Sequence, residues 1–259
     1  MTLSSNVVAL TDMPTGKQTA GKYVVRFAQN AVDIDAALKL RFDVFNLELG
    51  EGLAGSFDTQ RDEDPFDAYC HHLIVEERET QQVVGTYRMQ SFEMAQAGIG
   101  FYSAGEYDFS GLPDEVVQQS IEVGRACIAE KHRNSRVLFL LWRGLAMYMT
   151  HKQKRFLFGC CSLTSQDEAE GNRVMRQLQK NGYLHPEFRL APKSDYVCGG
   201  EIPNRVGRLK LPTLFKIYLD YGAMVCSFPA IDREFKTVDF LVMLDLDALD
   251  PLTRRLYFR

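Results

Sequence analysis

Apolar positions along this chain change repeatedly between strand and helix periodicity, and the changes mark out its elements. Tyr23 to Ala28 alternates and predicts a first strand. Beyond Asp33, a suitable helix cap, Ala36, Leu40, Val44 and Leu47 recur at helical spacing, with Arg41 and Phe45 on the neighbouring stripe. Gly50, Gly52 and Gly55 end that helix and open a loop to about Ala68 that contains RDEDPFD; a loop of this length in a compact domain is often functional. His72 to Glu77 and Val83 to Ser91, flanking ETQQ, read as a hairpin. Phe92 to Gln119 is irregular, with room for a short helix in FYSAGEYDF.

The stretch from Ser120 to Leu163 organises the rest. Ser120 to Ile128 reads as a strand whose charges, Glu122 and Arg125, face a cleft. A basic turn follows, with Lys131, Arg133 and Arg136, and then a helix capped by Asn134 or Ser135 and carried by Val137, Leu141, Leu145 and Met149. Arg155 to Leu163 is the next strand, since a crossover helix returns the chain to the same sheet. Unpaired amides and the positive end of the helix dipole make a basic turn at a helix N-terminus an anion site, with a plain solvated loop as the alternative. Downstream, Gln166 or Asp167 starts a helix through Gln179 that Asn181 and Gly182 close, and Pro212 opens another within Leu211 to Tyr221. Ala223 to Phe228 and Thr237 to Leu244 complete the strands. Strands outnumber crossover helices and several are joined by hairpins, which predicts an α+β domain with a mixed, largely antiparallel sheet and helices on both faces.

Composition narrows the function. The 259 residues, 46% hydrophobic, suffice for one sizeable core, which predicts a single domain over 22–259 behind an aperiodic leader, Met1 to Gly21. A formal charge of −4 gives no bulk attraction to nucleic acid. Cys70, Cys127, Cys160, Cys161, Cys198 and Cys226 show no metal-ligand spacing and suit reduced, buried thiols in a cytoplasmic protein. No signal peptide or membrane span is evident in the sequence. In RDEDPFD, Pro65 and Phe66 stand where a calcium loop needs oxygen ligands and a glycine, so Asp62, Glu63, Asp64 and Asp67 are either a solvated acidic loop or a recognition site for a cation, with no metal expected. His71 and His72 point to opposite faces of their strand and suit structural roles, as Cys160 and Cys161 suit packing.

The order E-V-G-R-A-C-I, H-R-N-S-R-V, L-W-R-G-L resembles the acyl-donor core of the GNAT N-acyltransferase superfamily. The set of Arg41 and Phe45, Asp64 and Asp67, Arg88, then Glu122 and Arg125, with FDAYCHHL, GTYRM, FYSAGEYD and PTLFKIYLDYGA, resembles its ornithine N-acyltransferase group, which is related to N-acyl amino acid synthases and acyl-homoserine-lactone synthases. The resemblance covers Tyr23 onward and implies the GNAT fold. It departs from acetyl-CoA members at Arg133 to Leu138, where both glycines of their pyrophosphate turn are missing. That fits a donor carried by acyl carrier protein rather than CoA, used as a co-substrate with no other cofactor.

The implied reaction moves a long-chain acyl group, 3-hydroxylated or not, to the α-amine of an amino acid, ornithine foremost, forming lyso-ornithine lipid. Amide formation needs a neutral amine, a proton acceptor and oxyanion donors. Glu122, which precedes the basic turn on the strand expected to line the acyl cleft, is the candidate acceptor, directly or through water, the alternative being a structural pair with Arg125; the amides of Ala126, Cys127 and Ile128 would face the thioester. Arg133 and Arg136 would meet the pantetheine phosphate, and Arg41 or Arg88, with Phe45, Asp64 and Asp67, the amino acid. Phe101, Tyr102, Tyr107 and Phe109 would either cover the acyl chain or pack as core. Another amine acceptor, or a non-catalytic module binding acyl groups or carrier protein, are the alternatives. An amphiphilic product would allow transient peripheral contact with the inner membrane.

Overall fold

Strand pairing starts earlier than the pattern predicts, inside the expected leader: Gln18–Ala20 (β1) pairs antiparallel with Tyr23–Phe27 (β2). The computed structural model describes residues 12–202 and 210–258, so the first part of the expected leader lies outside them. The chain divides into two units, one of residues 1–100, 123–154 and 256–259, the other of 101–122 and 155–255.

In the first unit β2 pairs antiparallel with His71–Glu77 (β3), and β3 with Val83–Ser91 (β4), the predicted hairpin. The second half of Ser120–Ile128 (β5) follows β4 in the strand order. The helix Ser135–Lys152 lies on β1 to β4 and buries Val137, Leu141, Leu145 and Met149, the residues whose four-residue repeat predicts it. Asn134 caps it, accepting from the amides of Arg136 and Val137. Strand alternation sends Leu73, Val75 and Gly85 towards this helix and His72 and Arg88 to the other face, where the helix Ala31–Phe42 packs.

That earlier helix is capped by Asn30, whose side chain accepts from Val32 and Asp33, and not by Asp33, which is instead paired with Arg26. It continues into a π-turn, Asp43–Glu48, that carries Phe45 inward. Gly144 lets the long helix close onto β3, because a Cβ there would overlap both methyls of the fully buried Leu73. Gly144→Ala is therefore expected to lose about 1–3 kcal/mol by overpacking, more than the roughly 1 kcal/mol that Ala contributes as a helix former. Urea unfolding checks this, and a stabilised variant would contradict it.

In the second unit the start of β5 pairs in parallel with Phe156–Leu163 (β6) over Ser120 to Glu122 and Phe156 to Phe158. β6 continues along Thr237–Asp245 (β9) as far as Leu163, and β9 also pairs with Met224–Val225 (β7) and Ala230–Asp232 (β8). The strand predicted over Ala223 to Phe228 is thus shorter, and β8 is additional. The helices Glu168–Lys180 and Thr213–Asp220 pack on β9 and β6 respectively. Phe101 and Phe109 pack edge-on against Phe158 at 5.0 and 5.6 Å, and Tyr107 is fully buried, so these rings are core of this unit. No helix among the described residues is long and apolar enough to cross a membrane.

Candidate active site

Each unit carries its own polar constellation. In the first unit Arg41, wholly buried, reaches Asp62 through Nε at 2.7 Å and Asp67 through Nη1 at 2.6 Å. Arg88 meets Asp64 at 2.6 Å and Asp67 at 3.2 Å, and Arg125 meets Asp64 at 3.1 Å. The acidic loop is turned into these arginines by a capping box: Asp64 accepts from the Phe66 amide, Asp67 accepts from the Asp64 amide, and Pro65 opens the short turn Pro65–Tyr69. Burial alone would push the Asp67 carboxyl up, but Arg41 and Arg88 overrule it and hold it below the usual carboxylate range.

The structure thus brings together Arg41, Asp64, Asp67, Arg88 and Arg125 from the predicted set, with Phe45 buried on the same helical segment. It adds Asp62, which nothing in the residue pattern separates from the other acids of its loop. Guanidiniums and carboxylates balance here, three against three, and all six residues are buried or nearly so.

His72 lies beside this network and is pushed down to about 4, by burial first and by Arg41 and Arg88 against the pull of Asp67, so it is neutral. His71 faces the other way and bonds the Tyr148 hydroxyl at 2.7 Å, in keeping with structural roles for both.

Arg125 also has a feature no residue pattern announces, a φ of 48° within β5. A left-handed non-glycine residue in a strand costs about 1–3 kcal/mol and persists only where its surroundings hold it. Its ion pairs with Asp62 and Asp64 supply that hold. This left-handed residue stands immediately before Ala126, Cys127 and Ile128, the predicted thioester-facing segment.

At the basic turn, Arg133 is clamped by both carboxylate oxygens of Glu48, at 2.6 and 2.7 Å, while Lys131 and Arg136 are exposed. The Asn134 cap occupies two amides of the helix N-terminus.

In the second unit, Glu122 accepts from the Tyr102 amide at 2.7 Å, the Ser103 amide at 2.8 Å and the Ser103 hydroxyl at 2.5 Å. Tyr102 in turn donates its hydroxyl to Asp232 at 3.1 Å. Glu122 is therefore a buried carboxylate whose two oxygens are both fixed by donors, which sets its orientation. Burial, then Glu106 and Asp239, push the Cys160 thiol well up, and burial does the same to Cys161; neither is an activated nucleophile. With no activated thiol at hand and an oriented carboxylate at the end of the β5–β6 ladder, the chemistry this unit can support is general-base assistance to a bound nucleophile.

Residues 40–143 match the Acetyltransferase (GNAT) domain family. The chain is 34% identical over 244 residues to an L-ornithine N(alpha)-acyltransferase of Brucella abortus (strain 2308), covering 88% of this chain and 86% of that one. It is 31% identical over 242 residues to the protein of that name from Agrobacterium fabrum (strain C58 / ATCC 33970), covering 88% and 83%. Among solved structures, the AHL synthase LasI matches with a TM-score of 0.50 at 13% identity over 94% of this chain and 96% of that one, a likeness of fold. Sequence likeness of this extent, on a GNAT fold, makes the chain an amide-forming acyltransferase belonging to the L-ornithine N(alpha)-acyltransferase family.

Proposed function

We propose that this protein moves a long-chain fatty acyl group, 3-hydroxylated or not, from acyl carrier protein to the α-amine of L-ornithine, yielding a lyso-ornithine lipid. The observation that carries this reading is the likeness to L-ornithine N(alpha)-acyltransferases along 88% of the chain. The neutral α-amine attacks the thioester carbonyl; a C–N bond forms, the C–S bond breaks, and no acyl-enzyme intervenes. Glu122 takes the proton from the amine, directly or through water, and the carrier thiolate leaves with a proton. The amides of Ala126, Cys127 and Ile128 stabilise the oxyanion.

Arg41, Arg88, Asp64 and Asp67 are spent on one another, so they hold Arg125 and β5 in position for the donor and do not themselves grip the amino acid. Phosphate contact falls to Arg136 with Lys131, since Arg133 is engaged by Glu48. The amphiphilic product calls for transient peripheral contact with the membrane surface.

The donor assignment rests on the missing glycines at Arg136 and Leu138. With matched acyl chains, kcat/KM for the carrier-bound thioester is expected to exceed that for the CoA thioester by at least about tenfold, a difference of roughly 1.4 kcal/mol. Steady-state rates with the two donors check this, and equal or inverted rates would assign the reaction to CoA.

A further inference from the structure

The second unit holds a group of buried acids that the acyl transfer described above does not use. Glu106, Asp239 and Asp232 are 2%, 3% and 5% exposed, and a Glu106 carboxylate oxygen, the Cys160 sulfur and an Asp239 carboxylate oxygen lie within 4.8 Å of one another. Glu106 accepts a weak bond from the Cys160 thiol on Oε2 at 3.5 Å, while its Oε1 is buried without any hydrogen-bond partner. A carboxylate oxygen left so costs about 1–3 kcal/mol, more when charged, and points to a donor supplied from outside the chain. Glu106 differs from the acids of the first unit, where each carboxylate faces a guanidinium. Here burial, Asp239 and Asp232, and Glu122 more weakly, all push the Glu106 carboxyl up, and only the Cys160 contact opposes them. The group also adjoins Glu122: Tyr102 bonds Glu122 through its amide and Asp232 through its hydroxyl.

We propose that Glu106, with Asp239 and Asp232, is the specificity pocket for the cationic side chain of the acceptor. It receives the distal ammonium of a diamino acid while the α-amine meets Glu122. The ammonium supplies the missing donor to Glu106 Oε1 and offsets the crowded negative charge. Because the cation is bound at this end, the nitrogen presented for acylation is the α-nitrogen. The pocket rests on the acyltransferase reading and adds to it which residues choose the amino acid.

The test compares ornithine with norvaline, which has the same carbon chain and no distal amine, in the full-length protein with one acyl donor. Wild-type protein should favour ornithine, and Glu106→Gln should lower kcat/KM for ornithine by about 10²–10³-fold, the usual loss when one partner of a buried charge pair is removed. Norvaline should change less than about threefold, so the preference collapses, and Asp239→Asn should act in the same sense. Without donor, ornithine but not norvaline should raise the melting temperature of the wild type and not that of Glu106→Gln, provided both are folded by circular dichroism. An unchanged ornithine-to-norvaline ratio in both variants would overturn the pocket while leaving the acyltransferase reading intact. Failure of the wild type to acylate any amino acid would instead remove the reading on which the pocket rests. Zinc added alone supplies the remaining outcome: a stoichiometric ion lost in Glu106→Gln, with ornithine giving no thermal shift, would make this a metal site and overturn the proposal.

Discussion

Arg41→Ala should destabilise the protein severely, more than Gly144→Ala or Glu122→Gln. The Arg41 guanidinium is fully buried and makes four hydrogen bonds, two to Asp62 and two to Asp67, so truncation leaves two carboxylates facing a void with one of their counter-ions gone. Breaking a buried pair in this way costs about 3–5 kcal/mol, a large share of the roughly 5–15 kcal/mol that holds a typical domain together. Arg41→Lys should recover only part of it, because a single ammonium cannot reproduce a planar fork spanning two carboxylates. The damage should spread: Asp62 pairs with both Arg41 and Arg125, and Asp62 and Asp64 are the ion-pair partners on which the left-handed backbone of Arg125 depends. Urea unfolding of the wild type, Arg41→Ala and Arg41→Lys measures this, and an Arg41→Ala midpoint close to that of wild type would show that the network contributes little.

Glu122→Gln should produce the largest loss of turnover. An amide at this position cannot accept the proton of the attacking amine, and removing a general base typically lowers kcat by about 10²–10⁴-fold. One carboxylate oxygen also becomes an NH2 group facing the Tyr102 or Ser103 amide, so a further 1–3 kcal/mol of stability, roughly, is expected to go. The two effects separate by pH. Turnover of the variant should climb as the pH rises and free amine replaces ammonium, whereas a loss caused only by a disturbed Tyr102–Ser103 turn would not recover. Unchanged turnover would leave Glu122 as the anchor of that turn and no more.

Much of the frame is legible in the sequence. The four-residue repeat of Val137, Leu141, Leu145 and Met149 locates the central helix, because burial on one face writes a period into the chain, and the two β-rich runs on either side of ETQQ locate the hairpin of β3 and β4. What escapes has a physical cause in each case. Asp62 is one of four acids in a single loop, and only the path of the backbone decides which one turns inward. The left-handed backbone at Arg125 is a matter of φ, to which residue type gives no clue. The terminal helix Pro251–Tyr257 is signalled by Asp250, which caps Leu252 and Thr253, but it is short and has little apolar face to repeat.

The acids of the second unit are the most instructive omission. Tyr102 and Asp232 stand 130 residues apart, and Glu106 and Asp239 meet only through the sheet. One signal is present: Asp239 interrupts the otherwise apolar run TVDFLVML, and a buried acid in a strand calls for an explanation. The loop acids of RDEDPFD draw attention instead because they are adjacent in sequence. Three-dimensional pairing neutralises that loop and leaves the dispersed group with the unsatisfied oxygen.

The most direct test of α-nitrogen acylation is tandem mass spectrometry of the product formed from purified protein, L-ornithine and a long-chain acyl carrier protein thioester. The expected result is a single N-acyl ornithine with the amide on the α-nitrogen and the distal amine unmodified. Acylation of the distal nitrogen, or no N-acyl amino acid from either carrier-bound or CoA-bound donor, would contradict it.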